Sequence, residues 1–345
     1  MSRKLYFSKP KKPALDTLEI TSEFSKSECD LAQNQDVREE LEKGDEITFD
    51  RNGKSTQSNL KRRSRSKFFN NHLAARLASL NSPFREKYWD TYHCSDIVTV
   101  EGDKARSRFC RKRWCVICNR IRTAQLVHTY YPTLKTWPDK QFVTLTVPNP
   151  KLPELKDTLN RMYQAFTQIK DSERKADRKL VGLRKLEITY NRHDDTYHPH
   201  FHLVTESSRS CDHIIKKWLK KFPDAKEVAQ DSRTADDHSC FELFKYFTKL
   251  TSNSSKDKVV TVAALDNIFL ALDGVRVFQP FGFVAHKEEP APEDVTLGKD
   301  EEELVDVWEY KYLQELHDWY CLESGDALTQ YEPSSSDEDA RSCIR

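Results

Sequence analysis

Two sets of residues in this chain have the types and spacing to hold metal ions. The first lies on His198-Pro199-His200-Phe201-His202, with Glu187 upstream. Imidazole nitrogens and a carboxylate oxygen bind divalent cations, and two His with one carboxylate leave coordination positions open for a substrate. An open site of that kind points to catalysis. The second set is Cys94, Cys110, Cys115 and Cys118, of which the last two form a Cys-x-x-Cys knuckle. Four thiolates suffice for a closed tetrahedral Zn²⁺ site, which is structural. The competing readings are solvent-facing histidines and reduced core cysteines. The second fits poorly beside eight Lys or Arg and no acid between Lys104 and Arg122.

The elements that must position the histidines are two strands. Leu186 and Ile188 alternate with Lys185, Glu187 and Thr189, and Phe201 and Leu203 alternate with His200, His202 and Val204. Period two sends Phe201 and Leu203 to a core and both histidines to the other face. Asn191 to Thr196 is rich in Asn and Asp and reads as the hairpin turn. A loop centred on His193 and Asp194 sets Glu187 opposite His200, and His198 is the alternative third ligand.

Upstream, Gln141 to Val147 reads as a strand. Pro153 opens a helix with the stripe Leu155, Leu159, Met162, Phe166 and Ile169. Downstream come a helix through Ile214 and Trp218, stopped by Pro223, and a short strand around Lys226 to Gln230. The order strand, helix, strand, strand, helix, strand predicts an α+β fold of split βαβ type. Its sheet is antiparallel, with helices on one face and the histidines on the other, free one. A helix over Phe241 to Lys249 sets Glu242 and Tyr246 one turn apart, with Lys245 and Lys249 alongside. Another helix spans Val262 to Leu272, and Val275 to Val284 reads as a last strand. Helical spacing at Val305, Trp308, Tyr312, Leu316 and Trp319 predicts a docked helix over Leu304 to Tyr320.

The run from Glu187 to Val204 resembles the metal-binding motif of the HUH endonucleases, in which two His flank one bulky hydrophobic residue, here Phe201. The longer string Tyr197-His198-Pro199-His200-Phe201-His202 is similar to that of the rolling-circle replication initiators of small bacterial plasmids. Further strings are similar too: Phe142 to Thr146 followed by Pro148-Asn149, Phe109 to Cys118, and Glu242-Leu243-Phe244-Lys245-Tyr246. The resemblance covers roughly Cys94 to Val284. It implies site-specific nicking of origin DNA by Tyr246, leaving a 5′-phosphotyrosine link and a 3′-hydroxyl primer. Glu242 would activate water at termination, and His200, His202 and Glu187 would hold Mg²⁺ or Mn²⁺. Tyr190 and Tyr197, which flank the histidine face, are next in line as nucleophile. The implied partners are single-stranded or supercoiled origin DNA, host helicase and host polymerase. A mobilisation relaxase or HUH transposase would use the same chemistry. A non-catalytic zinc-dependent regulator would need only the Cys-rich half. The Cys-rich segment and the Glu-x-x-Lys-Tyr order favour the initiator.

Charge is unevenly spread. Lys287 to Arg345 carries 18 acidic against 5 basic residues, so the first 286 residues carry an excess of positive charge. A basic body suits a polyanion ligand, and Arg111, Lys112 and Arg113, with Lys245 and Lys249, are the expected DNA contacts. Four regions are expected: a disordered polar tail (1–66), the Cys-rich segment (67–125), the endonuclease domain (126–286) and an acidic tail (287–345). A mean hydropathy of −0.78, no apolar stretch of membrane-spanning length and no secretory signal lead to an expected cytoplasmic location.

Overall fold

The computed structural model describes residues 56–101, 104–244, 261–283 and 307–345. The first elements are α1 (Thr56–Ser79), α2 (Arg85–Tyr92), β1 (Ile97–Glu101), β2 (Lys104–Ser107) and α3 (Val116–Lys135). A central run follows of β3 (Gln141–Thr146), α4 (Leu152–Lys175), β4 (Gly182–Asn191), β5 (Thr196–Thr205), α5 (Ser208–Lys221) and β6 (Asp231–Thr234). Then come α6 (Asp237–Phe244), α7 (Val262–Ala271), β7 (Phe278–Phe281), β8 (Val307–Leu313), β9 (Asp318–Cys321) and α8 (Ser335–Ser342).

Five strands pair antiparallel in the order β6-β3-β5-β4-β7. This is the α+β split βαβ arrangement expected from the sequence. Period two sends Val143, Leu145, Leu186, Ile188, Phe201 and Leu203 to one face. There they join the α4 stripe of Leu155, Leu159, Met162, Phe166 and Ile169 and the α5 residues Ile214 and Trp218 in the main core. Burying each such side chain stabilises the fold by roughly 1.5–3 kcal/mol.

The second face is not free, and here the expectation of helices on one side needs correction. Phe142 on β3, Leu183 on β4 and Val204 on β5 line up across the sheet. They pack with Val127 and Leu134 of α3 and with Phe241, Leu243 and Phe244 of α6. The histidine face is therefore polar only toward one end, where Thr144, Thr146, Lys185, Glu187, His200 and His202 lie. An apolar row on that face needs a cover, and α3 and α6 supply it.

Further expectations change. Thr56 to Ser66, expected within a disordered tail, belongs to α1. Ser64 and Lys67 there are fully buried, and Ser64 Oγ lies 3.0 Å from Asp318 Oδ1 and 2.8 Å from Thr329 Oγ1. Where a helix was expected over Leu304 to Tyr320, the described residues from Val307 on form instead the hairpin β8–β9, which extends β2-β1 into the sheet β2-β1-β8-β9. Trp308, Tyr310 and Tyr312 alternate at period two, and aromatic residues favour that pleated surface. The strand expected near Lys226 to Gln230 is a short 3₁₀ turn at Glu227–Ala229, with β6 following it. Among the described residues, the strand expected over Val275 to Val284 spans Phe278–Phe281. The expected boundary at residue 125 falls inside α3.

Candidate metal centres

Cys94, Cys110, Cys115 and Cys118 converge with their sulfurs within 4.8 Å of one another. Cys118 Sγ lies 3.6 Å from Cys94 Sγ and 3.7 Å from Cys110 Sγ. Four sulfurs about 2.3 Å from one tetrahedral zinc would sit about 3.8 Å apart, so the set fits that ion. Backbone N–H groups point at the sulfurs, as a charged thiolate requires. Cys110 N donates to Cys94 Sγ, Arg111 N to Cys118 Sγ, Lys112 N to Cys110 Sγ and Cys118 N to Cys115 Sγ, over 3.2–3.5 Å. Hydrogen bonds from the Cys115 and Cys118 thiols hold the Cys110 thiol well below its ordinary range. Arg111 adopts a left-handed backbone (φ 55°), which bends the knuckle. Cys115 also caps α3, so one residue serves the cluster and starts the helix that covers the sheet.

Lys67 of α1 sits fully buried beside this cluster, donating to the carbonyls of Tyr92 (2.7 Å) and Cys94 (2.8 Å). Burial lowers its pKa, and Asp96 opposes that shift. Arg113, expected as a DNA contact, is committed elsewhere. Its two terminal nitrogens each donate over 2.8 Å to the carbonyls of Leu272 and Val275, after the end of α7. Arg111 is exposed and Lys112 partly so. Arg113→Ala is thus expected to lower stability by about 1–3 kcal/mol in a denaturant titration. The pair Arg111→Ala, Lys112→Ala should leave stability unchanged and flatten the salt dependence of DNA binding. An unchanged salt slope would remove Arg111 and Lys112 from the phosphate contacts.

The second centre is built by the hairpin of β4 and β5. Its register pairs Glu187 with His200 and Lys185 with His202, as the loop position required. The ligand atoms of Glu187, His200 and His202 all lie within 4.8 Å of one another. His200 Nε2 and His202 Nε2 are 3.1 Å apart, and Glu187 Oε2 is 3.7 Å from His202 Nε2. His200 Nδ1 lies 3.0 Å from the carbonyl oxygen of His198, which can only accept, so Nδ1 carries the proton. His200 Nε2 is therefore the atom left to face the site. Thr144 Oγ1 lies 3.2 Å from His202 Nδ1 and orients the second ring likewise. Two imidazole nitrogens each about 2.1 Å from one ion, at roughly a right angle, would be about 3 Å apart. The residues fit a divalent cation.

His198, the alternative third ligand, is turned to Asn149, whose Oδ1 lies 2.7 Å from its Nδ1. Burial, with His200 adding to it, pushes its pKa down to about 4. Glu242 lies on α6 with His238 Nε2 3.6 Å from its Oε1. Thr123 of α3 donates to the Phe244 carbonyl at the end of that helix, 3.2 Å away. Tyr246, Lys245 and Lys249 lie outside the described residues. Tyr190 OH donates to Asp195 (2.8 Å), and Tyr197 OH accepts from Asn267 Nδ2 (2.9 Å). Burial raises both phenols, that of Tyr190 to about 12. Sequence reading missed one residue of this centre. Lys185 shares its face and places Nζ 3.1 Å from Glu187 Oε2. Its parity on β4, the same as Glu187, was the available signal.

The two centres should be chemically independent. Protein carrying both His200→Ala and His202→Ala is expected to retain zinc on metal analysis, and its absence would contradict a Cys-bound ion. Among the described residues no helix is long and apolar enough to cross a membrane.

Comparison with known proteins bears on what these centres serve. The replication protein family matches residues 103–321, more than half of the chain. Protein rep of Streptococcus pneumoniae serotype 2 is 34% identical over 106 residues, 28% of this chain and 32% of that protein. Protein rep of Staphylococcus aureus is 27% identical over 187 residues, 45% of this chain and 79% of that protein. Protein rep of Lactiplantibacillus plantarum is 29% identical over 236 residues, 60% of this chain and 73% of that protein. The chain thus spans about a third of the streptococcal relative's length and about three quarters of the other two. No solved structure matches. The chain belongs to the replication protein family, in keeping with the resemblance carried by its histidine strand.

Proposed function

We propose that this protein initiates rolling-circle replication of a plasmid by nicking one strand at the origin. The observation that carries this reading is the convergence of Glu187, His200 and His202 on one sheet face in a member of the replication protein family. Those three residues would hold Mg²⁺ or Mn²⁺. When bound, such a cation polarises a non-bridging phosphate oxygen and offsets charge developing on the phosphate.

Tyr246 is the nucleophile in this reading. Its phenolate oxygen attacks phosphorus and the bond from phosphorus to the 3′ oxygen breaks. That oxygen takes a proton and leaves as the primer hydroxyl, and the 5′-phosphate stays esterified to Tyr246. A free phenol titrates near about 10, so Lys245 and Lys249 favour the phenolate beside the DNA. Glu242 takes a proton from water in a terminating cleavage. His200 and His202, fixed through their Nδ1 atoms, keep their Nε2 atoms on the site throughout. The Cys cluster, as a structural zinc site, fixes the turn that presents Arg111 and Lys112 to phosphates. Its ion completes no part of the chemistry. Host helicase then unwinds the duplex while host polymerase extends the primer.

The test is incubation of the full chain with single-stranded fragments of the plasmid carrying its gene, with Mg²⁺ or Mn²⁺ and with a chelator. The expected result is a nick with a free 3′-hydroxyl and a covalent adduct on the 5′ side, formed only with the cation. Tight binding without any nick would favour the non-catalytic regulator instead.

A further inference from the structure

Lys185 is a cation that the nicking chemistry above does not use, and its place is unusual. It lies on β4 two residues before Glu187, on the face opposite the core, directly across from His202 on one side and Phe278 on the other. Its side chain is only 6% exposed. Long lysine stems ordinarily carry the ammonium to water. Here Nζ ends 3.1 Å from Glu187 Oε2, the same oxygen that lies 3.7 Å from His202 Nε2. A cation held by Glu187 and His202 would thus share that carboxylate with Lys185.

The charges have a consequence. Glu187 is the one anionic group among the three ligands, and Lys185 offsets it. With both imidazoles neutral, as ligation requires, the group of four carries no net charge, and with a divalent ion it would stand at two positive charges. Such a site binds a divalent ion weakly on its own, and an anion placed on the ion strengthens it.

We propose that Lys185 is a positioning residue that holds Glu187 in place and keeps intrinsic cation affinity low, so that the ion binds tightly only together with a DNA phosphate. The proposal rests on the cation-dependent nicking reading. It deepens that reading by making metal loading depend on substrate. By linkage, the phosphate strengthens cation binding by the same factor as the cation strengthens phosphate binding. An enzyme loaded in this way stays largely metal-free away from DNA, which limits cleavage at wrong sites.

Mn²⁺ titration followed by electron paramagnetic resonance tests this on the full chain, in a Tyr246→Phe background so that added DNA stays intact. Removing one positive charge about 5 Å from a divalent ion is worth on the order of tenfold in affinity even in a water-like dielectric. Lys185→Met should therefore bind Mn²⁺ about tenfold more tightly without DNA. The gain from adding single-stranded origin oligonucleotide should shrink accordingly. Lys185→Arg should behave as the parent does, and Lys185→Gln serves if Lys185→Met does not fold. Mn²⁺ affinity in the folded Met or Gln variant that is no tighter than the parent's overturns the proposal. A different result sinks the cation site itself: Mn²⁺ binding indifferent to His200→Ala with His202→Ala. The two failures are read from different variants.

Discussion

Tyr246→Phe should yield a protein that binds its origin, forms no covalent adduct and leaves no nick. The loss should be on the order of 10⁴-fold or more, the scale found when a nucleophile is removed outright. The substitution deletes one oxygen and keeps the ring, so a change in folding does not explain such a loss. Glu242→Ala should behave differently. With Tyr246 intact the adduct forms, but its release by water at termination slows. Single-turnover gels that separate adduct formation from release distinguish these phenotypes, and equal loss of both steps in Glu242→Ala would remove the division of labour.

His200→Ala and His202→Ala should each lower cleavage by at least about 100-fold, since each removes one ligand to the polarising cation. Fold and DNA affinity should persist, because both rings lie on the face opposite the main core. A strand position facing a polar site tolerates truncation better than Phe201 beside it, which is fully buried. Glu187→Ala should show a milder loss that high Mn²⁺ partly restores, whereas His198→Ala should retain activity, its ring being turned to Asn149. Circular dichroism with filter binding checks the fold and affinity arms. Full cleavage by His202→Ala would place the cation elsewhere.

The centre was legible in the sequence because its geometry is local. A hairpin fixes register through its turn, and period two fixes faces. Asn191 to Thr196 together with the alternation around Phe201 therefore placed Glu187 opposite His200. The Cys cluster was legible for a different reason. Thiolate count implies a site even where spacing is irregular, and Cys94 joins the knuckle through the β1–β2 hairpin that lies between them.

The missed features depend on long-range packing. Phe142 and Val204 carry apolar side chains on the histidine face, and that parity conflict was a sign that something covers them. It does not say what does so, and α3 and α6 answer only in three dimensions. In α1, buried positions are filled by Ser64, Ser66, Lys67 and Asn70, so no apolar periodicity marks the first turns. Those polar groups are satisfied by partners as distant as Asp318 and Thr329. The β8–β9 hairpin was mistaken for a helix because Trp308, Tyr312 and Leu316 also fit a four-residue spacing. Pairing with β1 decides the matter. Arg113 reads as one more member of a basic cluster until the carbonyls of Leu272 and Val275 are seen to hold it.

The most direct measurement is to identify the residue that carries DNA. Full-length protein is reacted with a single-stranded origin oligonucleotide and Mn²⁺, then digested with trypsin and nuclease, and the nucleotide-bearing peptide is sequenced by mass spectrometry. The account predicts a 5′-linked nucleotide on Tyr246, within the tryptic peptide Tyr246-Phe247-Thr248-Lys249. A nucleotide on Tyr190 or Tyr197, or cleavage with no linked peptide at all, would contradict it.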